Sequence, residues 1–268
     1  MRLTHLILVA SLLLSACCIA DLRPRRWRGD SAAVSEGERA RGRRLMRAMV
    51  EAHGGDARWR GLGRSKVVFR DVWVGLAGRL LNPWPERDQR VAFELAHGKG
   101  DIRATMIGGS RAGWRWSLLR GKTYVAAPGK PDARRDHLRA RLILPTMQFL
   151  IELPFRIASA THVAYVDTVR IAGRSTHRLL ATWNEFVPDM RSDHWMLFID
   201  AASKRLTRAH FTVRELGASL TATVHYADFR SARGLLLAHR ITIANGPPSG
   251  DPSAYLHRAT IESVSPMP

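Results

Sequence analysis

Most of the chain alternates apolar and polar positions with a period of two, which is the pattern of β-strands that turn one face to a core. In one such segment Val91, Phe93 and Leu95 alternate with Arg90 and Glu94. The alternation predicts strands over residues 66–74, 90–96, 102–107, 113–118, 123–126, 164–171, 177–183, 194–200, 205–214, 219–229, 235–243 and 259–264. Glycine-containing turns separate several of them at hairpin spacing. Strands and helices do not alternate regularly, so the pattern favours an antiparallel meander over a parallel sheet.

Two segments depart from this pattern and predict helices. Ser35 and Glu38 form a capping-box sequence, and apolar residues recur at helical spacing from there to Ala52. A second apolar stretch, residues 137–158, contains Pro145 and Pro154, which predicts two short helices separated at a proline. A large antiparallel sheet curls and must cover its concave face. The expected fold class is therefore mostly β (α+β): a curved antiparallel sheet forming an unclosed barrel, with an N-terminal helix and an inserted helical lid.

The N-terminus indicates export and lipidation. Arg2 precedes the apolar run 6–14, which is too short to span a bilayer, and small residues follow it, so residues 1–16 are predicted to be a signal peptide. Leu14-Ser15-Ala16-Cys17 resembles the bacterial lipobox. That resemblance implies cleavage before Cys17 and attachment of acyl groups such as palmitate, which hold the protein to a membrane. An ordinary cleaved signal peptide and an uncleaved anchor are the alternatives. Cys18, where inner-membrane lipoproteins of enteric bacteria carry Asp, implies the outer membrane, facing the periplasm.

Charge and composition narrow the classes of partner that the protein is expected to bind. The chain of 268 residues carries a formal net charge of +19, but its basic residues are scattered, and it has no zinc-finger or RNA-binding motif, so no nucleic-acid partner is expected. The simplest interpretation of the charge is a solvated surface rich in arginine, and the alternative is attraction of the basic runs near the anchor to anionic lipid headgroups. Residues 17–35 are expected to be a basic tether after the lipidated cysteine, and residues 36–268 a single half-barrel domain. The two cysteines are adjacent, which predicts neither a long-range disulfide nor a metal site.

Three further stretches resemble the lipoprotein-carrier proteins that sort outer-membrane lipoproteins. Residues 195–200 followed by 205–208 resemble a hairpin of that group. Residues 226–230 running into 234–240 resemble its Tyr-x-Asp-Phe and Gly-Leu-x-x-Pro segments, with Ala238 where proline is common. The third is 52–55 with Trp59. The resemblance implies an unclosed barrel with a helical lid that holds an acyl chain, a lipid or a lipoprotein without catalysis. The alternative is a structural or interaction lipoprotein of the envelope with a closed core.

Apolar residues of the predicted lid and of inward strand positions are the candidate ligand-lining residues: Phe69, Trp114, Trp116, Leu144, Met147, Leu150, Phe155 and Phe198. The proline-bracketed segment 80–85 exposes Leu81 and Trp84 as candidates for contact with a membrane or partner. The alternative for this segment is that Trp84 folds back over the mouth of the barrel.

The sequence offers little for catalysis, so no enzyme and no cofactor is expected. Residues 108–112 have Ala112 where a nucleophile elbow needs glycine, and no phosphate loop is present. Glu152 lies in the apolar lid, and we expect it to pair with Arg156, with contact to a ligand headgroup as the alternative. Six histidines on candidate strands lack the spacing of metal ligands: His177, His194, His210, His225, His239 and His257.

Overall fold

The computed structural model describes residues 19–28, 33–248 and 255–267. Among these residues it contains thirteen strands and five helices, which fall into two compact units. The first unit combines residues 19–48, 159–224 and 245–248. The second combines 49–158, 225–244 and 255–267.

The strands form one antiparallel sheet whose order starts at β6 and ends at β7, so it is not closed. The order is β6-β5-β4-β3-β2-β1-β13-β12-β11-β10-β9-β8-β7. The strands are β1 Arg64–Trp73, β2 Asp88–Ala96, β3 Ile102–Ile107, β4 Arg115–Leu119, β5 Lys122–Ala126, β6 Ala133–Arg134, β7 His162–Ile171, β8 Arg174–Thr182, β9 Trp195–Asp200, β10 Leu206–Thr212, β11 Thr221–Ala232, β12 Leu235–Asn245 and β13 His257–Pro266. The expected fold class, a mostly β antiparallel sheet with an N-terminal helix and a helical insertion, is confirmed.

The helices are α1 Glu36–Ala52, α2 Asp56–Gly61, α3 Gly75–Leu81, α4 Leu138–Ile151 and α5 Leu153–Arg156. The capping box at the start of α1 is present, because the Glu38 amide donates to Ser35 Oγ at 3.2 Å and the Ser35 amide donates to Glu38 Oε2 at 2.9 Å. Among the described residues no single helix is long and apolar enough to cross a membrane; α4 together with 153–159 meets that test only as a pair bent by 86°.

The helical insertion divides into two helices as the sequence predicts, but only the second of its two prolines lies at the break. α4 runs through Pro145 without interruption and ends at Ile151. Pro145 lies on the exposed face of α4, where the hydrogen bond that it cannot donate leaves a carbonyl open to water. The break comes at Glu152, and Pro154 falls in the first turn of α5, where a proline costs a helix little.

The second unit owes its core to the alternation along its strands. In β1 every second side chain points inward, from Ser65 through Phe69 to Trp73. β1 pairs with β2 and β13, and α4 packs on β3 and β4. The inward face of this part of the sheet is thus covered by the inserted helix.

The first unit has its own apolar cluster, and part of the expected tether belongs to it. Trp27 is 2% exposed and packs with Phe186 and Phe198. Its indole Nε1 donates to Glu38 Oε1 at 3.3 Å, and the Ala20 amide donates to the Ala218 carbonyl. The polar composition of 17–35 predicts a free tether, whereas residues 20–28 are anchored by this tryptophan and by backbone hydrogen bonds.

Candidate functional site

The underside of the lid helix α4 is the first candidate site. Leu144, Met147 and Leu150 lie on its buried face and are at most 2% exposed. Phe155, in α5, stacks on Trp59 with ring centroids 5.4 Å apart and planes 12° apart. These predicted lining residues all lie in the second unit and face its core, and in this conformation protein atoms fill the space around them.

Two other predicted lining residues extend this core along the sheet. Phe69 is fully buried and meets Phe93 edge to face at 4.7 Å. Trp116 on β4 is also buried, whereas Trp114 just before it is half-buried. Phe198 does not join them, because it belongs to the apolar cluster of the first unit.

A buried carboxylate fixes the junction between α4 and α5. Glu152 Oε1 accepts from the Trp59 indole at 2.8 Å and lies 2.5 Å from His97 Nδ1. Glu152 Oε2 accepts from Arg156 Nε at 2.7 Å, so the expected ion pair is confirmed. Oε1 thus accepts from a neutral indole, and Oε2 accepts from a cationic guanidinium. These hydrogen bonds offset the desolvation of the buried charge. Trp59 and His97 are partners that the sequence did not reveal.

The network continues to a serine on β1. His97 Nε2 lies 2.7 Å from Ser65 Oγ, and Arg233 Nη1 donates to the same oxygen at 2.6 Å. The order serine, histidine, carboxylate is that of hydrolytic triads. Ser65 is however 0% exposed, so a substrate carbonyl cannot reach its hydroxyl in this conformation. These hydrogen bonds connect Ser65 on β1 and His97, directly after β2, to the junction between α4 and α5.

The lid has two more polar attachments to the second unit. The Tyr226 hydroxyl donates to the Leu150 carbonyl at 2.9 Å, and burial raises the pKa of this phenol well above its ordinary value. Gln148 Nε2 donates to the Lys99 carbonyl at 3.0 Å. Both contacts secure the C-terminal half of α4, whose buried backbone and amide groups are thereby paired.

The solved structures similar to this chain share its fold at low sequence identity. A domain from Vibrio parahaemolyticus, provisionally assigned to outer-membrane lipoprotein sorting, has 12% identity over 85% of this chain and 93% of its own, with a TM-score of 0.51. A DUF1329 family protein from Desulfovibrio piger has 10% identity, the same coverages and a TM-score of 0.55. The protein has the lipoprotein-carrier fold. A LolA superfamily protein from Nitrosomonas europaea covers 82% of the chain at 12% identity, with a TM-score of 0.49. No family model and no curated protein matches the chain.

Within the carrier fold, a second buried carboxylate explains where Trp84 lies. Asp71 Oδ2 accepts from the indoles of Trp73 and Trp84 at 2.9 and 2.8 Å, and Oδ1 lies 2.9 Å from His257 Nδ1. Burial alone would raise the pKa of Asp71, but His257 and the two indoles outweigh it and lower the pKa. Trp84 is 1% exposed and stacks on Trp116.

The segment around Trp84 therefore presents other side chains to solvent. With Trp84 folded inward as the alternative interpretation held, Leu81 at the end of α3 is 53% exposed. Leu76 and Leu80 of the same short helix are exposed as well. These exposed leucines, and not Trp84, are the apolar side chains that this segment offers to a membrane or a partner.

A cavity of about 430 Å³ opens beside the two tryptophans predicted to line a ligand site. Its walls are Pro85, Ser110, Arg111, Trp114, Trp116, Val125, Arg135, His137 and Arg139. A second cavity of about 270 Å³ lies next to His97 and is lined mainly by charged residues. The cavities of this unit that Trp114 and His97 line are thus polar and partly open, unlike the filled space under α4.

The structure gives no metal centre for the histidines of the strands. Within residues 19–28, 33–248 and 255–267, no group of three or more His, Cys, Asp or Glu side chains has ligand geometry. His210 and His257 use Nδ1 for hydrogen bonds to Thr223 and Asp71. Burial lowers the pKa of His210 and His194, which keeps these rings neutral. Cys17 and the signal-peptide residues 1–16 lie outside the described residues.

Proposed function

We propose that this protein is a membrane-anchored lipoprotein of the cell envelope that binds an acyl chain, a lipid or a lipoprotein beneath the lid helices α4 and α5, without catalysis. The single observation that carries the proposal is the apolar underside of α4, formed by Leu144, Met147 and Leu150 over an inward sheet face. In the carrier fold an apolar space under an inserted helix is the natural place for a hydrophobic ligand. The proposal requires α4 to move, because the space is filled when the lid is closed.

The energies of closing and of ligand binding are comparable. Burying a leucine or methionine side chain contributes about 1.5–3 kcal/mol, so the three lid residues contribute roughly 5–9 kcal/mol. An acyl chain contributes about 0.8 kcal/mol per buried CH₂, so roughly six to eleven carbons replace what these side chains lose when the lid opens. A ligand of ordinary fatty-acid length therefore matches the closed lid in stabilisation. The break at Glu152 gives the movement a hinge next to its polar attachment.

The proposed function includes a lipid anchor at Cys17. The lipobox sequence before Cys17 supports lipidation there, and a lipid-anchored protein meets acyl chains at the membrane surface. The similar Vibrio domain is provisionally assigned to sorting lipoproteins of the outer membrane, which supports the envelope, and more narrowly the periplasmic face of the outer membrane, as the location.

The test uses the full chain carrying Cys17→Ser, purified without detergent. Mass spectrometry of extracted lipid should find a co-purifying amphiphile, and a fluorescent fatty acid should bind at about one per chain. Glu152→Gln removes the charge that pairs with Arg156 while preserving the size of the side chain. This change should speed probe entry about tenfold, the effect of lowering the barrier by about 1.4 kcal/mol.

The matched control is Glu262→Gln, which removes a carboxylate paired with Arg90 on the exposed face of the same sheet. It should leave probe entry unchanged. The proposal fails if no lipid co-purifies and the probe does not bind either the parent chain or the Glu152→Gln variant.

One observation favours a second function. The predicted lining residues of α4 are as buried as those of a sealed core. A structural or interaction lipoprotein with a closed core would show this packing at all times. In that case Glu152→Gln lowers the free energy of unfolding but no hydrophobic probe binds, and crosslinking in envelope membranes identifies protein neighbours instead.

A further inference from the structure

The cavity beside Trp114 and Trp116 combines aromatic walls with a cationic rim. The indole of Trp116 is held from behind, since it stacks on Trp84 at 5.7 Å and contacts the His137 ring at 4.5 Å. The guanidinium of Arg111 lies 4.2 Å from the centre of the Trp114 ring. The two indoles therefore form part of the cavity wall, with Trp116 supported by the buried Trp84 and the Arg111 guanidinium lying against Trp114.

The arginines that line this cavity have no carboxylate to neutralise them. Across the described residues, no Asp or Glu oxygen lies within 4.0 Å of the guanidinium nitrogens of Arg111, Arg135 or Arg139. The neighbouring Arg115, by contrast, forms an ion pair with Asp132 at 2.9 Å. Two carboxylates are adjacent in sequence to wall residues, and both have other partners: Glu86 accepts from Ser110 Oγ at 2.6 Å, and Asp136 lies 3.6 Å from Arg141 Nη1.

Other features of the site add to its positive potential. His137 is the N-cap of α4, so the positive end of the helix dipole faces the cavity that His137 lines. The pKa of His137 is lowered by burial and, as expected in a positive potential, by the charges of Arg135 and Arg139. Arg135 also lines an adjoining cavity of about 220 Å³, whose charged residues are otherwise Lys122, Arg134, Arg141 and one carboxylate, Asp136. The cationic region thus extends past one cavity, and bringing an anion into it relieves repulsion among like charges.

We propose that this cavity binds a phosphate group carried on an apolar body, with Arg135 and Arg139 holding the anion and the two tryptophans packing against the body. Guanidinium groups match phosphate oxygens in geometry and charge. About 430 Å³ falls within the range of small-molecule sites and is more than a phosphate group fills, and both tryptophans are among the residues that line it. The site is open while α4 is closed, and it shares with the lid the first turn of α4, which carries Arg139, but not the buried underside of that helix.

The same phosphate chemistry has two sources, a lipid headgroup and a small soluble phosphate ester, and the experiment separates them. The full chain carrying Cys17→Ser is titrated by calorimetry with three probes: inorganic phosphate, glycerol 1-phosphate, and dihexanoyl phosphatidylglycerol below its micelle-forming concentration. Dihexanoyl phosphatidylcholine is the probe without net charge. We expect saturable binding of the phosphatidylglycerol, weakened by salt.

The variant Arg135→Gln/Arg139→Gln should weaken that binding at least about tenfold, since both charge-assisted contacts that hold the anion are lost. The control variant Arg44→Gln/Arg47→Gln removes the same charge from the exposed face of α1 and should bind as the parent does. Trp114→Ala should weaken phosphatidylglycerol binding and leave glycerol 1-phosphate binding unchanged if the source is a lipid. Equal binding of glycerol 1-phosphate and the short-chain lipid would identify a soluble ester.

Two results would overturn the proposal. One is equal weakening by the two arginine variants, which means attraction by net charge alone. The other is the absence of saturable binding of any phosphate probe to the Cys17→Ser parent chain when its thermal unfolding is intact. Because the fluorescent fatty acid reports on the space under α4 and Arg135 lies outside that helix, its binding should be unaffected by Arg135→Gln alone. Failure of this site is thereby distinguished from failure of the proposed acyl site.

Discussion

At the scale of single residues, two buried carboxylates organise the second unit. Glu152 joins the lid to β1 and β2 through His97, and Asp71 joins β1 to β13 and to the segment before β2 through His257 and Trp84. Each has a histidine and at least one indole among its donors. A buried carboxylate with a full set of donors is retained at little cost, but the loss of its charge leaves those donors without a partner.

We expect Asp71→Asn to lower the free energy of unfolding by about 3 kcal/mol at pH 7, because an amide nitrogen would face the donors that now bind the carboxylate. The pKa of Asp71 is lowered in the folded protein. Its stabilisation is therefore present above the pKa of an unfolded aspartate, about 3.9, and is lost as the pH falls through the lower folded value. Urea unfolding between pH 3 and pH 7 should show the parent and the variant converging on the acidic side.

The control for this prediction is Asp88→Asn, at an exposed pair with Arg70 on the same strand pair. It should leave the midpoint of unfolding nearly unchanged, since exposed ion pairs contribute little. A difference between Asp71→Asn and the parent that stays constant down to pH 3 would contradict the assignment of a lowered pKa to Asp71.

The sequence revealed one of these carboxylates and not the other, for a physical reason. Glu152 was detectable because it interrupts an apolar run and has Arg156 four residues later. Asp71 stands in a strand that alternates regularly, and its partners come from residues 73, 84 and 257. Contacts between residues so far apart depend on the register of β1 with β13, which a pattern along the chain does not contain.

At the scale of elements, the close approach of α1 and β7 in the first unit depends on one glycine. A Cβ at Gly42 would lie 2.8 Å from the Cα and the carbonyl carbon of Ala164. Backbone atoms cannot move aside as a flexible side chain does, so even a methyl group would push the helix from the strand. The helical pattern of α1 predicted the helix itself but gave no indication that this position must lack a side chain.

Gly42→Ala should therefore destabilise the protein by about 1–3 kcal/mol, against the usual rule that alanine improves a helix. The matched control is Gly37→Ala in the same helix, where the added Cβ has only Ser35 Oγ at 3.9 Å. That variant should be neutral or more stable by up to about 1 kcal/mol. Thermal unfolding of the two variants side by side checks the prediction, and equal stability would mean that α1 does not lie this close to β7.

The inserted helices show what the sequence can predict about an element and what it cannot. Their existence followed from an apolar stretch with helical spacing, but the break was expected at a proline. The structure puts it at Glu152, where the carboxylate engages Trp59, His97 and Arg156. Tertiary contacts to the acidic side chain decide the position of the bend, while Pro145 is accommodated on the solvent side.

At the scale of the whole molecule, the fold was more predictable than the site. A period of two over most of the chain, with helices at the start and midway, is enough to predict a mostly β antiparallel sheet, and similar folds recur at 10–12% identity. The cavity of Trp114 and Arg135 was not predicted as a basic site. Its tryptophans were chosen as apolar lining, and its arginines are indistinguishable in the sequence from the other basic residues of a chain with net charge +19.

The location proposed for the whole molecule rests on its N-terminus, and it has a direct test with an internal control. Cys17→Ser should move the protein from the membrane pellet to the soluble envelope fraction, because the thiol proposed to take the acyl groups is gone. Cys18→Ser, one residue further on, should leave the protein in the pellet, since the lipobox resemblance assigns no lipid to that position. Intact-mass measurement of the parent should give the chain from Cys17 onward plus its acyl groups. If Cys17→Ser remains in the pellet, the apolar run 6–14 holds the protein and the lipobox interpretation is wrong; if both variants leave it, the two cysteines share the modification.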